Sequence, residues 1–93
     1  MATVTLDVTA TPGDGVQSYW IAVHDQDVPM NNDQGSVDLE SPGSYILVWH
    51  FIGDAGDTIG ITGEVAGDSV VEVKKSVIPN GEIAGAGQAR FTV

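Results

Sequence analysis

Between Asp25 and Asp33 the chain places five Asp and Asn side chains, Asp25, Asp27, Asn31, Asn32 and Asp33, within nine residues. Calcium takes about six to eight oxygen ligands held by a pliable loop, so Asp25, Asp27, Asn31 and Asp33 are the candidate ligands of a calcium site. The segment departs from an EF-hand, because Val28-Pro29-Met30 stands where a further ligand and a glycine belong, and Ser36 holds the twelfth position. Asp54 and Asp57 add ligands only if their loop lies at the same end of the fold. Against this stands the ordinary preference of Asp and Asn for loops, where their side chains bond the backbone. Zinc would require His24 with Asp25, or His50, to converge across strands, and the chain has no cysteine to help.

Aromatic side chains offer the second chemistry. Tyr19 and Trp20 on one extended segment, and Tyr45 and Trp49 on another, are the residue types on which sugar rings stack. Neighbours in a strand point to opposite faces, so one of Tyr19 and Trp20 faces outward, and Trp20 is the better candidate for a glycan. Tyr45 and Trp49 share a face with Leu47 and Phe51, which assigns them to a core.

Catalysis finds less support. Six serines and two histidines are present, but there is no Gly-x-Ser-x-Gly elbow, and Ser36 and Ser44 each follow a glycine at turn signals. Paired carboxylates need a deep cleft to push their pKa values apart, and a chain this small has little room for one. Gly81, Gly85 and Gly87 are loosely spaced, with no Lys-Ser/Thr after them and no helix to receive a phosphate. The expectation is a protein that is not an enzyme, with a small hydrolase as the outside alternative.

The elements that must hold these residues follow from composition and periodicity. The chain has 93 residues, 42% of them apolar, with 12 Gly, 4 Pro and no Cys, which fits a single domain, 1–93, with one core and no disulfides. Thirteen acids oppose three bases for a net charge of −10, and residues 1–73 contain no Lys or Arg. Such a surface repels nucleic-acid phosphates and anionic lipid headgroups, leaving cations, proteins and neutral glycans as partners. The longest apolar run, Tyr45 to Ile52, is far too short to span a bilayer, so no membrane insertion is expected. The first residues lack the basic and apolar regions of a secretory signal. Localisation stays open: extracellular for an excised domain, cytoplasmic synthesis if Met1 is the native start.

Alternation with period two runs through nearly the whole chain, predicting strands over 3–10, 16–24, 36–40, 45–52, 58–65, 69–78 and 89–93. Turn signals separate them: Pro12-Gly13-Asp14-Gly15, Pro42-Gly43, Asp54-Ala55-Gly56-Asp57, Ala66-Gly67-Asp68 and Pro79-Asn80-Gly81. Residues 25–35 and the small-residue segment 82–88 are expected to be loops. The run 45–52 is apolar on both faces apart from His50, as in a strand lying between a core and a covering layer. Seven antiparallel strands predict an all-β, two-sheet β-sandwich, with a small β-barrel as the alternative. Residues 16–24 or 69–78 are candidates for its edges, the latter guarded by Glu72, Lys74 and Lys75.

Within this pattern Pro42-Gly43-Ser44-Tyr45, leading into Ile46-Leu47, resembles the turn-and-strand of many immunoglobulin-like and prealbumin-like bacterial sandwich modules. The immunoglobulin Cys–Trp–Cys signature and the Lys, Asn and Glu arrangement of isopeptide-bonded modules are absent. The resemblance implies a spacer, adhesion or binding unit and supplies no site residues. The expected function is therefore a non-catalytic β-sandwich module that attaches to protein or glycan and is calcium-stabilised through residues 25–33. The alternative is a structural subunit that self-assembles into homo-oligomers, for example a virion or tail component.

Overall fold

In the computed structural model, which describes residues 2–93, alternation becomes two packed sheets. The strands are β1 (Ala2–Pro12), β2 (Ser18–Val23), β3 (Gln26–Asp27), β4 (Gln34–Ser41), β5 (Ser44–Ile52), β6 (Thr58–Val65), β7 (Asp68–Val77) and β8 (Ala84–Thr92). One sheet has the order β4-β1-β6-β7 and the other β3-β2-β5-β8, and every pairing is antiparallel. The architecture is the expected β-sandwich, not the closed barrel held as its alternative. It is elongated, 45 × 22 × 20 Å.

The core is the inward half of each alternation. Leu6, Val8, Ala10, Val37, Leu39, Ile59, Ile61 and Val71 from the first sheet meet Ile21, Val23, Leu47, Trp49, Phe51 and Phe91 from the second. Each fully buried Leu, Ile or Phe contributes about 1.5–3 kcal/mol through removal of its apolar surface from water. Trp49 satisfies its indole N–H across the core, donating to Ser76 Oγ of β7 at 3.0 Å. Tyr45 donates its hydroxyl to the Glu40 carbonyl at 2.9 Å and accepts from the Glu40 N–H at 3.0 Å, which ties β5 to β4 of the opposite sheet.

Three expectations are corrected. There are eight strands, because Gln26 and Asp27, placed in a loop by their polarity, pair with Val23 and Ala22. Strand β4 begins at Gln34, two residues earlier than the alternation alone suggested. The largest correction is 84–88, read as loop for its small residues and found in β8, paired along its whole length with β5. The small residues are a packing requirement. Gly85 lies opposite Phe51 and Gly87 opposite Trp49, and a Cβ on Gly87 would stand 2.4 Å from the Trp49 ring, one on Gly85 2.6 Å from Phe51. Glycines that cover aromatic rings in a strand are a known device of curved sheets.

The ends of the sandwich are built differently. At one end the loops after β1, β5 and β7 interlock, with Gly13 N–H donating to the Thr58 carbonyl, Gly56 N–H to Ile78 and Gly53 N–H to Ile83. Ile78, beyond β7, is buried there. At the other end lie the β2–β3 turn, the β4–β5 turn with its cis Ser41–Pro42 bond, the Ala66-Gly67 turn and the C-terminus. Eight residue steps along β5 separate the two ends, about 26 Å at strand rise.

Candidate functional site

The outward half of the β3-β2-β5-β8 sheet forms the candidate surface. Its rows follow from the register: Ser18, Ile52 and Ala84; Trp20, His50 and Ala86; Ala22, Val48 and Gln88; and Ile46 beside Arg90. Trp20 and Ile52 are 43% and 37% exposed, and His50 and Ala86 are exposed with them. The expected covering layer over β5 is not met within residues 2–93, where Ile46 and Val48 are only half-buried.

Trp20 is held in place. Its Nε1–H donates to Asp27 Oδ1 at 2.8 Å, and Asp27 lies across the β2–β3 ladder from Ala22. The indole is thereby drawn along the sheet toward Ala22, a residue of this outward face that is nonetheless 0% exposed. The bond holds the indole in place while 43% of the residue stays open to solvent. Asp27, expected as a metal ligand, acts here as the acceptor that orients a platform.

Tyr19 turns the other way, as period two requires. Its hydroxyl donates to Asp33 Oδ1 at 2.6 Å. Burial, the hydrogen bond to Asp33 and the charge of that carboxylate together push its pKa up to about 12 from 10.0. Tyr19 and Trp20, paired as ligand residues by the sequence, thus stand on opposite faces and do not form one site.

The four expected calcium ligands are spread along the sandwich edge. Asp25 is exposed in the β2–β3 turn, next to His24, whose N–H donates to Ile46 near the start of β5. Asp27 is engaged by Trp20, and Asp33 by Tyr19, which pairs with Phe51 toward the far end of β5. Asn31 and Gln34 bond each other's backbone around Asn32 and Asp33, which have φ of 54° and 63°. Two central residues with positive φ define a type I′ turn, a conformation that Asn and Asp tolerate well. Asp54 and Asp57 sit beyond the end of β5 opposite Asp25, and the Asp57 carboxylate accepts the Asp54 N–H at 2.7 Å. Among the described residues no three His, Asp or Glu side chains come together as a metal cluster.

The sequence alone did not bring out His50, Ile52, Ala84 and Ala86 as neighbours of Trp20. The alternation 46, 48, 50, 52 signalled the β5 half of the face. The β8 half was hidden because its small residues looked like loop.

A second concavity, of about 700 Å³, lies at the Pro42-Gly43 end and is lined by His24, Ser44, Tyr45, Ile46, Val70, Arg90, Phe91 and Thr92. Compared with protein-family models, curated proteins and solved structures, the chain matches none.

Proposed function

We propose that this protein is a non-catalytic binding module that attaches to a neutral glycan through the outer face of the β3-β2-β5-β8 sheet. The observation that carries this reading is Trp20: an indole 43% exposed on a sheet face, its N–H committed to Asp27 and its ring free to stack. A sugar ring presents a C–H face to such a surface, and the aromatic gains contact area at little cost in side-chain entropy. His50 beside it across the ladder, and Gln88 one row away, are the polar groups available to sugar hydroxyls. A net charge of −10 disfavours polyanions on the same molecule and leaves neutral polysaccharides as the matching class.

The test is affinity electrophoresis through gels containing soluble neutral polysaccharides, followed by titration calorimetry on any that retard the protein. Retardation by at least one polysaccharide, abolished in Trp20→Ala while the thermal midpoint stays near that of the parent, is the expected result. A Trp20→Ala protein retarded as strongly as the parent, or a parent retarded by none, overturns the reading.

A further inference from the structure

Four strands end the two sheets, and three of them are closed to further pairing. Strand β4 exposes Asp38 and Glu40, and the Tyr45 hydroxyl occupies both the N–H and the carbonyl of Glu40. Strand β7 exposes Glu72, Lys74 and Lys75, and its ladder with β6 is interrupted by two register shifts. Strand β3 is two residues long, and just beyond it Val28 N–H is bonded to the Ile21 carbonyl ahead of Pro29. Charge, irregularity and brevity are the means by which sheet edges resist an added strand. Strand β8 has none of them: it runs nine residues without proline or acid, and Arg90 is its one charge.

The register shows which backbone groups of β8 are open. Gly43 and Val93 exchange both N–H to carbonyl bonds, and Gly53 N–H donates to the Ile83 carbonyl. Both pairs continue the β5–β8 register, in which Tyr45 faces Phe91 and Phe51 faces Gly85. Ladder bonds of an antiparallel pair fall on alternate residues, so Gly85, Gly87, Ala89 and Phe91 bond β5. Ala84, Ala86, Gln88, Arg90 and Thr92 therefore turn their N–H and C=O groups away from it. Among the described residues no strand lies on that side, since β7, though packed near β8, belongs to the other sheet and pairs with β6. Ala86, Gln88, Arg90 and Thr92 are exposed.

We propose that β8 pairs antiparallel with β8 of a second copy of this chain, about a two-fold axis at Gln88, joining two β3-β2-β5-β8 sheets into one. The strand is self-complementary, and this selects a second copy as the occupant. Its open residues are spaced symmetrically about Gln88, so the two-fold sets Gln88 against Gln88, Ala86 against Arg90 and Ala84 against Thr92, and all of them gain partners at once. The two glutamine amides, each with donors and an acceptor, bond one another. The two guanidiniums face alanines and stand about 13 Å apart along the strands. The same register sets Ile83, 71% exposed, opposite Val93 at both ends of the ladder. A chain at −10 repels its copy least along the edge strand that lacks acids, and at about 0.15 M salt a screening length of about 8 Å weakens the rest. With the axis perpendicular to the sheet, both Trp20 platforms stand on one face, about 24 Å apart across the strands.

The experiment is sedimentation velocity of the full chain from about 20 µM to about 1 mM, with amide hydrogen exchange followed by NMR at both limits. The expected result is a monomer–dimer equilibrium in which the amides of Ala86, Gln88 and Arg90 gain protection with concentration. Gly87 and Ala89, already bonded to β5, are expected to be protected at either limit. Gln88→Lys sets two ammonium groups against each other at the axis and is expected to weaken the dimer about tenfold or more, while its spectrum reports that the fold is retained. Gln88→Pro removes an N–H that β5 does not use, as an edge strand tolerates, and is expected to do the same. Gln34→Lys, which adds the same charge at an exposed position of β4, is expected to leave the dimer unchanged. A monomer at every concentration would leave the edge to a strand of another protein and overturns the proposal. A dimer indifferent to Gln88→Lys, or protection gained on β4 or β7 instead, overturns it as well. No readout depends on a glycan or on Trp20, so these outcomes are independent of the glycan-binding reading.

Discussion

The hydrogen bond from Tyr19 to Asp33 couples one phenol to the stability of the fold. The folded-state pKa is raised to about 12 from 10.0 by burial, by the bond and by the Asp33 charge, so the native state holds its proton where the unfolded chain releases it. The stability this supplies is fully present below pH 10 and is lost as pH rises toward 12. Tyr19→Phe is expected to cost about 1 kcal/mol at neutral pH, because Asp33 loses its donor, and to flatten the alkaline part of the stability curve. Urea denaturation at pH 7, 10 and 11.5 checks both: a variant that loses stability as steeply as the parent above pH 10 would assign the alkaline transition to another group. At this scale Trp20 and Asp27 are the instructive pair. The outward placement of Trp20 was legible from alternation, but Asp27 was read as part of a loop, and its use as the indole's acceptor was not legible, since it depends on a two-residue strand that polarity disguised.

At the scale of elements, β8 shows what composition conceals. Ala84-Gly85-Ala86-Gly87 carries the marks of a loop, and its glycines are required by the rings of Phe51 and Trp49 on the neighbouring strand. Gly87→Ala would set a methyl 2.4 Å from Trp49 Cζ2, forcing the indole to shift and straining its bond to Ser76. The expected cost is about 2 kcal/mol, a fall of about 10 °C in the midpoint for a domain of this length. Differential scanning calorimetry measures it, and an unchanged midpoint would show that the β5–β8 pairing is looser than the register implies. The longer strands were readable where one face is buried: Leu6, Val8 and Ala10 in β1, and Val37 and Leu39 in β4, alternate with exposed polar residues. In β8 glycine removes that contrast.

The whole molecule has two unlike faces. The outer side of β4-β1-β6-β7 displays Thr3, Thr5, Thr9 and Thr11 with Asp7, Asp38, Glu40, Glu64 and Glu72, while the opposite face displays Trp20, Ile46, Val48, Ile52, Ala84 and Ala86. A partner that avoids the acids meets the second face first, which directs attachment to one side of the sandwich. The long axis also governs the cation question. Asp25 lies by the start of β5 and Asp54 and Asp57 beyond its end, with Asp27 and Asp33 between them and each engaged by an aromatic donor. A cation would have to draw these groups together against the β2–β3 ladder and the Asn31–Gln34 turn. The thermal midpoint is therefore expected to be the same in millimolar calcium and in chelator, since only a ligand of the native state raises it. A rise of several degrees, lost in Asp25→Ala/Asp27→Ala, would restore calcium as a structural component.

By itself the sequence determined the all-β class, the inward residues of each regular strand, the outward position of Trp20 and the acidity of the surface. These are local properties, set by period two, by turn chemistry and by a count of charges. Tertiary structure decided which strands are neighbours and in what register. That pairing turned a glycine segment into the partner of two aromatic rings, separated Tyr19 from Trp20 and spread the aspartates along an edge. It also brought His24 beside Tyr45 and Tyr45 beside Phe91, from three separate stretches of the chain, at one end of the sandwich. Register is set by the fit of side chains between strands remote in sequence, and no spacing within a single strand encodes it.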